Sequence, residues 1–110
     1  MSAQTLRSEK EFKRVLDEGK SSRGRLLRAV VLKREGEGVR LGIIASRKVG
    51  GAVLRNRAKR LIREGLREIK GEILKGQDIV IIPRSEAAHS SLSIVVEDLR
   101  GTLQEAGGLC

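Results

Sequence analysis

The chain has 110 residues, 23 Lys and Arg against 14 Asp and Glu, a formal net charge of +9, one Cys, one His and one aromatic residue. That length makes one domain with enough chain for a core of its own, and the lone Cys110 excludes an internal disulfide and every cysteine-based zinc site. A single histidine, His89, and scattered acids leave no ligand cluster or acid–base pair for a self-sufficient nuclease, phosphatase or metal hydrolase.

In chain order, Ser8-x-x-Glu11 forms a capping box that opens a first helix, with Phe12, Val15 and Leu16 on one face and Gly19 as its stop. Lys20 to Gly24 reads as a polar, basic loop. Leu26 to Lys33 and Val39 to Ala45 read as strands joined by the Arg34–Gly38 turn, which predicts an antiparallel hairpin. Ser46 to Gly51 is a flexible joint leading into a helix from about Ala52 to Lys70. On that helix Leu54, Ala58, Leu61, Ile62, Gly65, Leu66 and Ile69 share an arc of about 140°, while Asn56, Lys59, Arg60, Arg63 and Arg67 take the opposite side. Arg55 and Arg57 stand on the two borders. The run Ile79-Val80-Ile81-Ile82 between Asp78 and Pro83 reads as a strand buried on both faces. A last helix from about Ser91 to Glu105 carries Leu92, Val95, Val96, Leu99 and Leu103 on one side.

The order is α-β-β-α-β-α, with room for a further short strand, and the class is α+β: a single-domain α-β sandwich over residues 1–110. Strand, basic helix and strand in succession imply a crossover within one mixed sheet of about four strands.

Charge is organised along this frame. From Gly38 to Arg63 there is no acid, while Arg40, Arg47, Lys48, Arg55, Arg57, Lys59, Arg60 and Arg63 are all cationic. Such a block makes a field that attracts phosphate. Cations also crowd the first turns of the long helix, where the helix dipole disfavours them. A face that was merely solvated would mix signs for mutual support. The pattern points to a polyanion, and RNA is the one that suits it.

Known phosphate and base-reading motifs are missing. The Gly19–Gly24 and Gly71–Gly76 spacings lack the Lys and Ser/Thr of a phosphate loop. No two glycines stand three apart, as a KH module requires, and Phe12 cannot supply the aromatic sheet of an RRM. Binding through Arg and Lys to backbone phosphates, with little base reading, remains. Asp78 either begins its strand with a hydrogen bond or binds a metal. Asn56 either ties down the preceding loop or touches RNA. Phe12 is a core anchor or a stacking surface. No apolar run approaches a membrane span, and Met1-Ser2-Ala3-Gln4 lacks the apolar segment of a signal peptide. A cytoplasmic location, no membrane partner and no small-molecule substrate are expected.

The run Ser46-Arg47-Lys48-Val49-Gly50-Gly51-Ala52-Val53-Leu54-Arg55-Asn56-Arg57-Ala58-Lys59-Arg60-Leu61-Ile62-Arg63-Glu64 resembles the signature of the bacterial ribonuclease P protein component. Leu6 to Gly19 resembles that family's first helix, and Gly76 to Arg84 its later strand. The resemblance implies a mixed sheet with a left-handed β-α-β crossover, of the ribosomal S5 domain 2-like class. It also implies a ribonucleoprotein that removes the 5′ leader from precursor tRNA, in which the RNA subunit is the catalyst and requires Mg2+. The protein would carry no cofactor and no catalytic residue. Its partners would be the ribonuclease P RNA and precursor tRNA. Carried over by position, Arg47, Lys48, Arg55, Asn56, Arg57, Lys59, Arg60, Arg63 and Arg67 would bind the RNA subunit. The leader would lie in a cleft between the first helix and the open sheet, at Phe12, Leu16 and Val30. This chain has Leu16 and Val30 where the family often has aromatics, which shifts the expected leader contacts towards Lys13, Arg14, Lys20 and Arg28. The competing readings are a ribosomal or other structural RNA-binding protein on the same scaffold, and a protein-only nuclease.

Overall fold

The structure is a computed structural model that describes residues 3–110; Met1 and Ser2, the start of the segment read for a signal peptide, lie outside the described residues. The elements are β1 (Ala3–Thr5), α1 (Glu9–Glu18), β2 (Lys20–Arg23), β3 (Leu27–Lys33), β4 (Val39–Ile43), α2 (Ala52–Glu68), β5 (Gln77–Pro83) and α3 (Leu92–Glu105). Single 3₁₀ turns span Lys70–Glu72 and Ser85–His89. The five strands form one mixed sheet in the order β1-β4-β5-β3-β2.

The helix boundaries follow the caps. Ser8 Oγ accepts the Glu11 N–H at 3.1 Å, and the Glu11 carboxylate accepts the N–H groups of Ser8 and Arg7 at 3.1 and 3.0 Å. Ser91 Oγ accepts the Ile94 N–H at the start of α3.

The predicted β3–β4 hairpin does not form. The two strands are antiparallel, but β5 lies between them, parallel to β4 and antiparallel to β3. The reason is burial. β5 is apolar towards both layers, so it takes the centre of the sheet, where each of its faces is covered. The Arg34–Gly38 link therefore arches over the entry of β5. Arg34 N–H donates to Gly76 O, and the N–H groups of Gly76 and Gln77 donate to Glu37 O and Gly38 O. Gly36 and Gly76 both have positive φ, and a Cβ on Gly76 would stand 2.5 Å from Gly36 O.

Two further expectations are corrected. Lys20–Arg23, read as a loop, is edge strand β2, paired antiparallel with β3. Ala3–Thr5 adds a second edge strand, parallel to β4. Both lack an apolar alternation because an edge strand is only partly covered.

Strand alternation sorts the sheet into two faces. Ala29, Val31, Leu41, Ile43, Ile79 and Ile81 pack against α2 and α3 in the main core. At Gly65, a Cβ would come within 2.7 Å of Leu99 Cδ1, so the missing side chain sets the α2–α3 approach. The opposite face carries α1 over a smaller core of Leu6, Val15, Val30 and Val80.

Asp78 is a buried acid inside the sheet, 2% exposed at the foot of β5. It does more than open the strand. Its Oδ1 accepts from Arg34 Nε at 2.7 Å and Arg40 Nε at 2.8 Å, and its Oδ2 accepts from Arg40 Nη2 at 2.7 Å. Arg40 Nη1 also donates to Glu11 Oε2, which ties α1 to β4. Burial pushes the Asp78 carboxyl up, but the hydrogen bonds and charges of Arg40 and Arg34 outweigh it and hold the group below the usual carboxylate range.

That depression makes stability depend on acid. The contribution is complete above the ordinary Asp value of about 3.9 and is lost as pH falls through the lower folded-state value. Asp78→Asn should cost on the order of 3 kcal/mol at pH 7 by leaving Arg34 without its counter-ion and Arg40 with Glu11 alone. Urea titrations across pH should show that deficit shrinking below about pH 4; a pH-independent deficit would remove the ion pairs as its cause.

Candidate nucleic-acid interface

Helix α2 is built on a buried stripe of Ala58, Leu61, Ile62, Gly65 and Leu66. The stripe clamps one side of the helix and leaves the other to solvent, with Asn56, Arg57, Arg60, Arg63 and Arg67 exposed and Arg55 and Lys59 half-buried along the flanks. Arg47 and Lys48 stand exposed on the turn before it. That turn is not a loose joint: Val49 is buried, Ser46 O accepts the Val49 N–H, and Arg47 O accepts the Gly50 N–H.

The cations on this face are uncompensated. Among the described residues, none of Arg47, Lys48, Arg55, Arg57, Lys59, Arg60, Arg63 and Arg67 enters an ion pair; the ion pairs present join Arg14 to Glu18, Arg34 and Arg40 to Asp78, Arg40 to Glu11, and Arg100 to Glu72. The first turn of α2 holds no acid, and Gly51 caps it without a side chain. Helix dipole and side chains therefore add at the N-terminal end into one positive field. Arg40 drops out of the block read from the sequence, because Asp78 and Glu11 neutralise it.

Asn56 makes no side-chain hydrogen bond among the described residues, so it does not tie down the preceding loop. Val53, which sequence reasoning passed over, is 80% exposed in the first turn of α2. Its helical phase, between Arg57 and Arg60 and off the apolar arc, was the available signal.

A cleft of 720 Å³ runs from α2 round the β1–β4 edge of the sheet. Lys59, Arg63, Arg67 and Lys70 line one wall, Leu6, Leu41 and Ile43 lie at its base, and Phe12 closes the far end. The Phe12 ring rests directly over Gly42, where a Cβ would collide with it. It is thus a core anchor on one side and half-open on the other.

Beyond Phe12 lies the sheet face that α1 leaves uncovered. Leu16, Ile44 and Ile82 are half-buried there against the small core, and Arg28 follows on the same face. Lys13 is exposed on α1, about 60° round the helix from Leu16, and also borders the groove that holds Arg14. Ile82 was missed because the β5 run reads as buried on both faces, and Ile44 because it follows the end of β4; the alternation with Val80 and Gly42 gives their true side.

Three expected leader contacts do not join this surface. Val30 is fully buried under α1 and can touch no ligand there. Arg14 lies about 200° round α1 from Leu16 and pairs with Glu18 in a shallow groove beside Arg40. Lys20 pairs in register with Val31, on the α3 side of the edge strand.

Among the described residues no three His, Cys, Asp or Glu side chains converge where a metal ion could sit. Asp78 and Glu11 are held by arginines, and the N–H groups of Arg7 and Ser8, with the Arg40 charge, keep the Glu11 carboxyl below its ordinary range. No helix among the described residues is long and apolar enough to cross a membrane.

The family profile named Ribonuclease P matches residues 1–107. The chain belongs to the ribonuclease P protein family. A ribonuclease P protein component from Bacillus cereus is 38% identical over 98 residues, covering 88% of this chain and 85% of that one. The solved ribonuclease P protein of Staphylococcus aureus superposes with a TM-score of 0.86 at 32% identity, over 99% of this chain and 100% of that one. The Thermotoga maritima ribonuclease P protein gives 0.79 at 36% identity, over 89% and 93%. The chain is a subunit of ribonuclease P, acting in tRNA 5′ processing, and its holoenzyme is an endoribonuclease with an RNA partner.

Replacing Arg55, Arg57 and Arg60 together by Ala should weaken RNA binding and flatten its salt dependence. The slope of log affinity against log salt should fall by about 0.7–0.9 for each phosphate that is no longer neutralised. Fluorescence anisotropy over a salt series measures this, and an unchanged slope would exclude the face from the RNA-binding surface.

Proposed function

We propose that this ribonuclease P protein is a non-catalytic subunit that holds the RNA subunit on the α2 face and the 5′ leader of precursor tRNA on the α1 face. The observation that carries the reading is the unpaired cationic face of α2 beside acids already committed to structural arginines. Such a surface binds phosphate backbones and offers no nucleophile or general base. Magnesium ions, on this reading, belong to the RNA subunit and supply its phosphodiester chemistry there.

The leader surface has a different character. Phe12, Leu16, Ile44 and Ile82 offer a half-buried apolar floor for sugars and bases, with Lys13 and Arg28 placed for phosphates. With one aromatic residue, affinity rests on charge and apolar contact rather than on a run of stacked bases. The cleft round the β1–β4 edge connects the two surfaces, so one protein can touch both partners. A cytoplasmic location belongs to the same reading.

The test is reconstitution. The pure protein, a bacterial ribonuclease P RNA and magnesium are combined with precursor tRNA, together and with each component omitted. Cleavage at the mature 5′ end should require the RNA, and at low magnesium should need the protein as well. Cleavage by the protein alone would overturn the division of labour. No stimulation at low magnesium would leave a structural RNA-binding role.

A further inference from the structure

At the turn between β2 and β3, Arg23 and Arg25 carry charge that neither surface above accounts for. Arg23 and Arg28 sit directly opposite each other in the β2–β3 ladder, and Arg25 lies in the turn between them. Like charges in cross-strand register are destabilising. Among the described residues no carboxylate pairs with any of the three.

The turn is nevertheless held firmly. The Asp98 carboxylate on α3 accepts the N–H groups of Arg25, Leu26 and Leu27 at 3.0, 2.9 and 3.1 Å. Gly24 permits this, since a Cβ there would stand 2.5 Å from the Asp98 oxygens. Asp98 spends its oxygens on backbone, fixing where the arginines are displayed. Arg28 Nε donates to Ser21 Oγ at 2.7 Å, which orients its guanidinium and leaves the two Nη groups free.

Position supplies the second half of the argument. Arg28 pairs in register with Ile82, so Arg28 and Arg23 continue the face that carries Leu16, Ile44 and Ile82. A single strand lying along that apolar floor would leave it past these side chains. Guanidinium groups match phosphate oxygens two bonds at a time.

We propose that the β2–β3 turn is a phosphate clamp for the distal part of the single-stranded 5′ leader, with Arg23 and Arg25 extending the Arg28 contact beyond the cleft. The proposal rests on the leader-binding reading of the α1 face. It assigns Arg23 and Arg25 a role in substrate affinity that grows with leader length, and none in holding the RNA subunit.

The test uses the reconstituted holoenzyme with the double variant R23Q/R25Q, which keeps the aliphatic stems. Precursor tRNAs with a short leader, ending within the cleft, and with a long leader are compared over a salt series. For the long leader, affinity should fall about tenfold and the salt slope by about 1.4, from two single-strand phosphates at about 0.7 each. Affinity for the short leader and for the RNA subunit should stay as in the parent. R23K/R25K, which keeps both charges, should retain the salt slope. Equal losses for both leaders, a loss in RNA-subunit affinity, or no loss at all would each overturn the clamp. If the parent protein fails to stimulate cleavage, the reading of the function has failed instead.

Discussion

The buried carboxylate of Asp78 is the group on which the arrangement of this protein turns. It sits at the foot of the central strand and binds arginines from the neighbouring strand and from the link that arches over it. Glu11 continues the chain of ion pairs to the first turn of α1. One acid thereby joins β4, β5, the Arg34–Gly38 link and, through Arg40 and Glu11, helix α1. Burying an unpaired charge there would be costly, so the arginines and the insertion of β5 between β3 and β4 support each other.

The same pairing of charges separates structure from function. Arginines that hold the fold together have carboxylate partners at hydrogen-bond distance. Those on α2 and its entry turn have none among the described residues, though they lie on well-packed elements. A fold tolerates such repulsion where a polyanion relieves it in the working complex. Two acids, Asp78 and Glu11, are taken up by the first group of arginines.

Several features were legible because they are local. The Ser8–Glu11 capping box, the apolar stripe of α2, the two-sided burial of Ile79 to Ile81 and the Ser91 cap all follow from residues a few positions apart. The cationic face of α2 was readable for the same reason, since helical phase alone decides it. The edge strands were not, because Lys20–Arg23 and Ala3–Thr5 bury too little to show an alternation. The apolar face of α1, with Phe12 and Leu16, was legible from helix phase, whereas the sides taken by Val30, Arg14 and Lys20 were not, because they depend on which neighbour covers each strand or helix.

By itself the sequence determined the class of partner and the cationic face of α2, since net charge and helical phase are properties of the chain in order. Only the tertiary structure decided which arginines are free and which strand takes the centre. Arg40 and Arg57 look alike in the sequence, yet one is neutralised by an acid 38 residues away and the other faces solvent. Strand order depends on how total burial is maximised over the whole sheet, and pairings between residues far apart in the chain leave no periodic trace along it.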